Sequence, residues 1–314
     1  MNMSEYQYNP LLKAPDKSTD INMEKPAIVK MMKAMSRAKQ GNYFELPQIV
    51  KNPVALKKTS YLNSDGQEIA LYVITPNAGS CGRHGAMLLL HGGAFALPMQ
   101  QSAVELGAVY AARCGITVFL PEYSMLPECS GERALLDCIE CYKLMQSKAW
   151  AEAYDIDSEK IILYGESAGG ALAAGAALYI KDHPEEFATQ PYKLILIYPV
   201  LDNSEEYLSK RKYAEAAWSG RSNSSMWKAY LTGAGEDWLR YLVPMRHEDP
   251  DGLPETYIEP QEIDILCDEA VEFGRRVRTA TVNLIPGSYH SFDADVENPF
   301  VQQVIGNRID FIRA

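Results

Sequence analysis

Short apolar runs alternate with helical patterns along most of this chain, and this alternation limits the folds open to it. Six runs are apolar enough for strands buried on both faces: residues 87–90, 116–120, 161–164, 194–198, 256–259 and 282–285. Helices are predicted between and after them, over residues 101–114, 131–149, 167–179, 267–278 and 299–312. The pattern predicts an α/β fold, a mostly parallel sheet with helices on both faces. Ligands of such sheets bind beyond the carboxyl ends of the strands.

Three segments depart from this alternation. Residues 59–75 alternate polar and apolar side chains, which predicts antiparallel strands. Residues 203–246 contain three of the four tryptophans and no buried-strand run, so we expect a helical insertion over the site. Residues 28–38 form a helical pattern with an apolar stripe of Ile28, Met31, Met32 and Met35. We expect this stripe to pack against the rest of the protein, with a flexible lid surface as the alternative.

Composition narrows the partners and the compartment. The net charge of −11 and the pI near 5.0 argue against nucleic acid and anionic membranes as partners. No apolar run reaches the length of a membrane span, and Met1 to Pro10 lack the pattern of a secretory signal. The six cysteines show no disulfide-framework spacing, and Cys138 and Cys141 fall in a helical pattern typical of buried free thiols. A cytoplasmic protein is expected.

One buried strand ends in Gly165-Glu166-Ser167-Ala168-Gly169, and a helix of small residues follows at once. The pattern G-x-S-x-G places a serine on a sharp strand-to-helix turn that has no room for a Cβ atom at either glycine. Such a turn lifts the serine hydroxyl out of the sheet toward a substrate. We therefore predict that Ser167 is a nucleophile.

A serine hydroxyl is a weak nucleophile until a base takes its proton, so Ser167 needs a histidine. His290 is the best candidate of the five, because it lies in a loop that leaves the last predicted strand. Three others fit less well. His84 lies in a polar loop, His183 in a surface segment and His247 at the charged end of the insertion.

The histidine in turn needs a carboxylate that fixes its tautomer and stabilises the imidazolium. Residues 263–269 offer Asp264, Asp268 and Glu269 between the serine and the histidine in sequence. Apolar residues flank Asp264, so we expect it to be held inward. Asp268 and Glu269 begin a helix, where acids complement the helix dipole without a catalytic role. We predict Asp264 and keep Asp268 as the alternative.

A glycine pair follows the strand over residues 87–90 and can turn its N–H groups toward a substrate carbonyl. The backbone N–H groups of Gly92, Gly93 and Ala168 are therefore predicted to form an oxyanion hole. We expect His91 to brace this loop by hydrogen bonds rather than to transfer protons.

Together these motifs resemble the hormone-sensitive-lipase-like branch of the α/β-hydrolases. The patterns H-G-G-G, Y-x-L-x-P-E, G-D-S-A-G-G, D-P-L-x-D-E-G and H-x-F of that branch appear here, the second loosely, at residues 91–94, 123–128, 165–170, 264–270 and 290–292. The resemblance runs from about residue 84 to the C-terminus and departs at three positions. Ala94 replaces a glycine, Glu166 an aspartate and Ile265 a proline, which puts the substrate preference in question and leaves the reacting groups in place.

The resemblance implies an α/β-hydrolase fold and a serine carboxylesterase that needs no cofactor and no metal. It implies a catalytic core over residues 51–202 and 247–314, with a helical cap built from residues 1–50 and 203–246. The expected partner is a small or medium carboxylic ester, and a homodimer stays open. The alternatives are a peptidase or acyltransferase on the same fold, or a non-catalytic small-molecule receptor. The receptor would be expected to have lost part of the triad.

Overall fold

The computed structural model describes residues 6–16, 20–40, 44–50, 54–77 and 83–314 of the chain. The strands are β1 (Val54–Leu62), β2 (Glu68–Pro76), β3 (His84–Leu90), β4 (Thr117–Pro121), β5 (Ile156–Glu166), β6 (Lys193–Ile197), β7 (Glu255–Glu259), β8 (Gln261–Ile263), β9 (Ala280–Val282) and β10 (Ile285–Tyr289).

The helices are α1 (Pro26–Gln40), α2 (Gln101–Cys114), α3 (Gly131–Gln146), α4 (Lys148–Ala153), α5 (Ala168–Asp182), α6 (Leu208–Lys212), α7 (Gly220–Tyr230), α8 (Leu239–Leu242), α9 (Cys267–Arg276) and α10 (Pro299–Arg313). None of the helices formed by these parts of the chain is long and apolar enough to cross a membrane.

Eight strands form one sheet in the order β1-β2-β4-β3-β5-β6-β7-β9. β2 pairs antiparallel with both β1 and β4, and the strands from β4 to β9 pair in parallel. Residues alternate between two cores along β5, because successive side chains of a strand point to opposite faces. Leu163 packs in the core that includes α3 and α5, whereas Ile162 packs in the core that includes α2 and α10. The predicted α/β architecture is confirmed, as is the antiparallel pair near the N-terminus.

One predicted strand, residues 282–285, is wrong. β9 ends at Val282 and pairs with β7, whereas β10 begins at Ile285 and pairs with β8 in a separate two-stranded parallel sheet. Val282 and Leu284 keep 38% and 45% of their surfaces exposed, so the apolar run does not mark a buried strand. The predicted helix over residues 131–149 also divides, because Ser147 ends α3 and its hydroxyl accepts the Trp150 N–H to begin α4.

The methionine stripe on α1 does not pack as predicted. Met31 and Met35 are 56% and 63% exposed, whereas Val29 and Lys33 are buried. The buried face of α1 therefore runs through Val29 and Lys33, beside the methionine stripe. A lysine is tolerated on this face because its Nζ donates to the carbonyl of Leu126 at 2.9 Å.

The insertion over residues 203–246 is helical, as predicted, and contains α6, α7 and α8 without a strand. The N-terminal segment lies against α7. The Ile21 N–H donates to Ser222 Oγ at 2.9 Å, and the Met23 N–H donates to Ser225 Oγ at 3.1 Å. Two segments about 200 residues apart in sequence are thereby joined over the sheet.

The five cysteines in the described ranges are free thiols, and Cys81 lies outside those ranges. Cys138 and Cys141 are buried on α3, where the Cys138 Sγ contacts the Ala134 carbonyl at 3.2 Å. Burial raises the pKa of both thiols above its ordinary value, which keeps them protonated and unreactive.

Candidate active site

The turn between β5 and α5 holds Ser167 in a strained backbone conformation, with φ 54° and ψ −121°. Tight packing on both sides forces the turn. A Cβ atom on Gly165 would lie 2.1 Å from the Gly169 carbonyl oxygen, and one on Gly169 would lie 2.0 Å from the Leu90 oxygen. Neither position accepts any side chain, so the two glycines are required, as the sequence pattern predicts.

The structure brings Ser167, His290 and Asp264 together. Ser167 Oγ lies 2.9 Å from His290 Nε2, and His290 Nδ1 lies 2.7 Å from Asp264 Oδ2. A carboxylate against Nδ1 favours the tautomer with its proton there, which leaves Nε2 free to accept the serine proton. Asp264 is buried, and its second oxygen accepts the Leu266 N–H at 3.1 Å. That bond fixes the turn at the position where Ile265 replaces a proline.

Strand register explains how residues distant in sequence meet here. Tyr289 pairs with Ile263 between β10 and β8, so the next residues, His290 and Asp264, leave the two strands side by side. On the main sheet Leu90 pairs with Gly165, which sets the His91-Gly92 loop beside the nucleophile turn. Every one of these groups lies at the carboxyl end of a parallel strand, where an α/β sheet binds its ligand.

The other candidates lie in different surroundings. Asp268 Oδ2 accepts the Ser209 N–H at 2.8 Å. His84 lies in β3 rather than in a loop, with Nε2 at 2.7 Å from Thr117 Oγ1. His247 is buried, and its Nε2 lies 2.9 Å from Asp182 Oδ2.

His91 is buried under the glycine loop. Its Nδ1 lies 2.6 Å from the Gly92 carbonyl oxygen, and its ring stacks on Tyr123 at a centroid distance of 4.4 Å. Burial lowers the pKa of this imidazole, so it stays neutral. These contacts fit a residue that braces the loop.

The glycine loop uses backbone conformations that favour glycine. Gly93 has φ 114°, and a Cβ atom there would lie 2.9 Å from the Leu97 oxygen. Ala94, at the position of the third glycine, adopts φ 55°, so the loop keeps its left-handed turn at a cost of about 1–2 kcal/mol. Gly92 packs closely on the nucleophile turn, since a Cβ atom there would lie 3.2 Å from the Ser167 Cβ and 3.3 Å from the Glu166 carbonyl oxygen.

A cavity of about 330 Å³ opens above Ser167 and His290. Its outer wall is largely apolar and comes from the N-terminal segment and the insertion through Ile21, Met23 and Trp218. The Trp218 ring stacks toward the His290 imidazole at a centroid distance of 6.1 Å. The sequence pattern placed the insertion over the site without identifying which of its tryptophans reaches it.

A profile of proteins with the α/β-hydrolase fold matches residues 87–294, well over half of the chain. The chain belongs to the α/β-hydrolase family. Lipase 2 of Moraxella sp. (strain TA144) is 26% identical over 298 residues, 83% of this chain and 67% of that protein. An arylesterase of Saccharolobus solfataricus is 22% identical over 248 residues, 78% of this chain and 79% of that one.

Solved structures of the α/β-hydrolase fold superpose over nearly the whole chain. A bacterial heroin esterase gives a TM-score of 0.80 at 26% identity, and the match covers 94% of this chain and 93% of that one. An esterase of Pyrobaculum calidifontis gives a TM-score of 0.78 at 22% identity, covering 91% and 92%, and shows the shared fold. Both the predicted fold and the predicted family are confirmed.

Proposed function

We propose that this α/β-hydrolase is a serine carboxylesterase that cleaves small to medium carboxylic esters with Ser167, His290 and Asp264. The chain is a carboxylic ester hydrolase, as the esterases and lipases among its relatives indicate. The observation that carries the assignment of residues is the continuous chain of contacts, 2.9 Å from serine to histidine and 2.7 Å from histidine to aspartate, at a cavity.

The reaction has two halves. Ser167 Oγ attacks the ester carbonyl carbon while its proton passes to His290 Nε2, and Asp264 stabilises the imidazolium. The C–O bond to the alcohol then breaks, and His290 returns the proton to the leaving oxygen. Water attacks the acyl-enzyme in the second half, again losing its proton to His290. The acyl–Ser167 bond breaks, the carboxylic acid leaves, and Ser167 regains its proton.

Backbone N–H groups stabilise the oxyanion in both halves of the reaction. Ala168 begins α5, so its N–H has no partner within the helix and the positive end of the helix dipole lies there. Gly93 and Ala94 line the cavity beside Ser167 in left-handed conformations. We assign the N–H groups of Gly92, Gly93 and Ala168 to the hole, since Gly92 and Gly93 line the cavity with Ser167.

Residues 1–50 and 203–246 form a cap in this proposal, and residues 51–202 and 247–314 form the catalytic core. The hydrogen bonds between the N-terminal segment and α7 support a single cap unit. A cavity of about 330 Å³ with an apolar outer wall suits a short acyl or small aromatic ester better than a long acyl chain. The free buried thiols Cys138 and Cys141 support a reducing, cytoplasmic location.

Ser167→Ala tests the assignment. Hydrolysis of p-nitrophenyl acetate and butyrate should fall about a million-fold in kcat, because the nucleophile and its proton are both removed. Ser158→Ala, on the strand that precedes the Ser167 turn and away from the cavity, is the matched control and should keep full activity.

Undiminished hydrolysis by a folded Ser167→Ala variant would overturn the mechanism. A panel of esters from acetyl to long acyl chains tests the size assignment, and cleavage of long-chain emulsions alone would contradict it. Peptide substrates and alcohol acceptors, run in parallel, separate the peptidase and acyltransferase alternatives.

A further inference from the structure

Behind the nucleophile, three buried carboxyl groups face one arginine. Arg308 is fully buried, and its guanidinium contacts both oxygens of Glu259 at 2.6 and 2.9 Å. A third contact joins Arg308 Nη1 to Asp293 Oδ2 at 2.8 Å. The positive charge of Arg308 is therefore already paired with the carboxylates of Glu259 and Asp293. The third acid, Glu166, precedes the nucleophile in the chain and lines the same cavity.

Glu166 has no cation of its own in these contacts. Its side chain is more than nine-tenths buried, and its Oε2 has no hydrogen-bond partner in the described part of the chain. An ionised carboxylate in that position would be a buried charge with one oxygen unpaired, which is costly. A protonated carboxyl group avoids the cost of that buried charge.

The groups around Glu166 favour the same state. Burial, followed by the negative charge of Asp293, raises the pKa of Glu166 to about 8, although Arg308 and the Gly92 N–H act in the opposite direction. The neighbouring hydroxyl groups of Tyr123, Tyr164 and Tyr198 are neutral, since burial raises the pKa of each well above 10.

Two imidazoles, those of His91 and His290, line the same cavity as Glu166. His91 is buried beside Gly92 and neutral, because burial lowers its pKa. Tyr198 connects the acid cluster to the catalytic base, since its hydroxyl donates to Asp293 at 2.7 Å and its ring packs on His290 at a centroid distance of 4.9 Å. A change of charge at Glu166 is therefore felt in the same small cavity where the reaction takes place.

We propose that Glu166 serves the esterase as an uncharged carboxyl group, and that its ionisation slows the reaction because a carboxylate on this wall opposes the oxyanion. The proposal rests on the proposed function and gives Glu166 no proton-transfer step. Two like charges in a small cavity with low dielectric constant repel strongly, and the repulsion falls on the transition state rather than on a neutral ester. Glu166 thus sets the alkaline limit of activity.

Glu166→Gln tests this, because glutamine keeps the shape and a donor but cannot ionise. The measurement is kcat/KM for phenyl acetate from pH 6 to 10, corrected for spontaneous hydrolysis. Activity of the natural protein should fall at least about tenfold between pH 8 and 10, whereas Glu166→Gln should keep its neutral-pH value. Glu159→Gln, exposed on the same strand, is the matched control and should fall like the natural protein.

Two results would overturn the proposal. One is an alkaline fall in Glu166→Gln equal to that of the natural protein. The other is a loss of more than about 100-fold in a folded Glu166→Gln variant at pH 6.5, where the natural residue is already neutral in this assignment.

Thermal unfolding provides a readout independent of catalysis. The pKa of Glu166 rises on folding from its ordinary value of 4.5 to about 8, so the folded state holds the proton longer. Its contribution to stability is complete below about pH 4.5 and is lost as the pH rises toward 8. The Tm of Glu166→Gln minus the Tm of the natural protein should therefore increase as the pH rises from 4.5 to 8. A constant difference would overturn the neutral-acid assignment, whereas an inactive natural protein with the rising difference would overturn only the esterase function.

Discussion

On the core side of the cavity, the proposed catalytic residues follow strands. On the side of the proposed cap, the lining residues come from segments joined by serine hydroxyls. Asp264 and His290 leave two strands held by backbone hydrogen bonds, so their positions depend on register rather than on neighbouring side chains. Ile21 and Met23 instead depend on Ser222 and Ser225 of α7. A small number of hydroxyl contacts is lost more easily than the row of backbone hydrogen bonds between two strands. We infer that the core fixes the chemistry, whereas the cap sets which esters enter.

The largest expected effect breaks the core side. Asp264→Asn should lower kcat by about ten-thousand-fold with little change in KM, because asparagine favours the wrong tautomer of His290. Steady-state hydrolysis of p-nitrophenyl acetate measures it. Asp268→Asn, in the next turn, removes a charge at α9 but no contact with His290, so its kcat should stay near that of the natural protein. Equal losses in the two variants would contradict the assignment of Asp264.

An intermediate effect is expected from the cap side. Trp218→Ala enlarges the cavity beside His290, so kcat/KM for an acetyl ester should fall roughly tenfold while longer acyl esters gain. Competition between acetyl and hexanoyl esters measures the change. Trp238 lies in the same insertion but stacks on Tyr179 at 5.6 Å, and its replacement by alanine is the control. The cap assignment fails if both variants change chain-length preference alike.

The smallest expected effect sharpens the role of the hydroxyl contacts. Ser225→Ala removes bonds to the Met23 N–H and the Ile21 carbonyl, which contribute about 1 kcal/mol each. The KM for short esters should rise about threefold while kcat stays unchanged, since only the apolar wall loosens. Ser224→Ala, one residue earlier on α7, is the control. A fall in kcat with constant KM would show instead that α7 acts on the reacting groups.

Much of the core could be predicted from sequence because its signals are local. Buried strands are short apolar runs, and the turn at Ser167 requires two glycines whatever surrounds it. The choice of Asp264 over Asp268 also rested on local context, since apolar neighbours indicated a residue held inward. The run at 282–285 misled for the same reason: three of its four residues are apolar, yet Val282, at the end of the edge strand β9, and Leu284, just beyond that strand, are exposed.

The burial pattern of the proposed cap was harder to predict, because it depends on segments distant in sequence. The α1 helix shows a methionine stripe, but Met31 and Met35 are exposed. Lys33 is buried instead, since a backbone carbonyl and Glu128 accept its ammonium protons. Helical periodicity identifies an apolar face without showing whether another element covers it.

The sequence by itself determined the α/β order of elements, because spacing and residue type carry that information. The same signals predicted Ser167, His290 and Asp264, which the fold brings within hydrogen-bond distance of one another. Tertiary structure alone decided the charge environment of the nucleophile. In the sequence, nothing distinguishes Glu166 from any other glutamate. Only the fold brings it close to Asp293 and to Arg308, whose guanidinium already pairs with Glu259 and Asp293. The physical reason is that a pKa depends on burial and on charges close in space, and the sequence contains neither quantity directly.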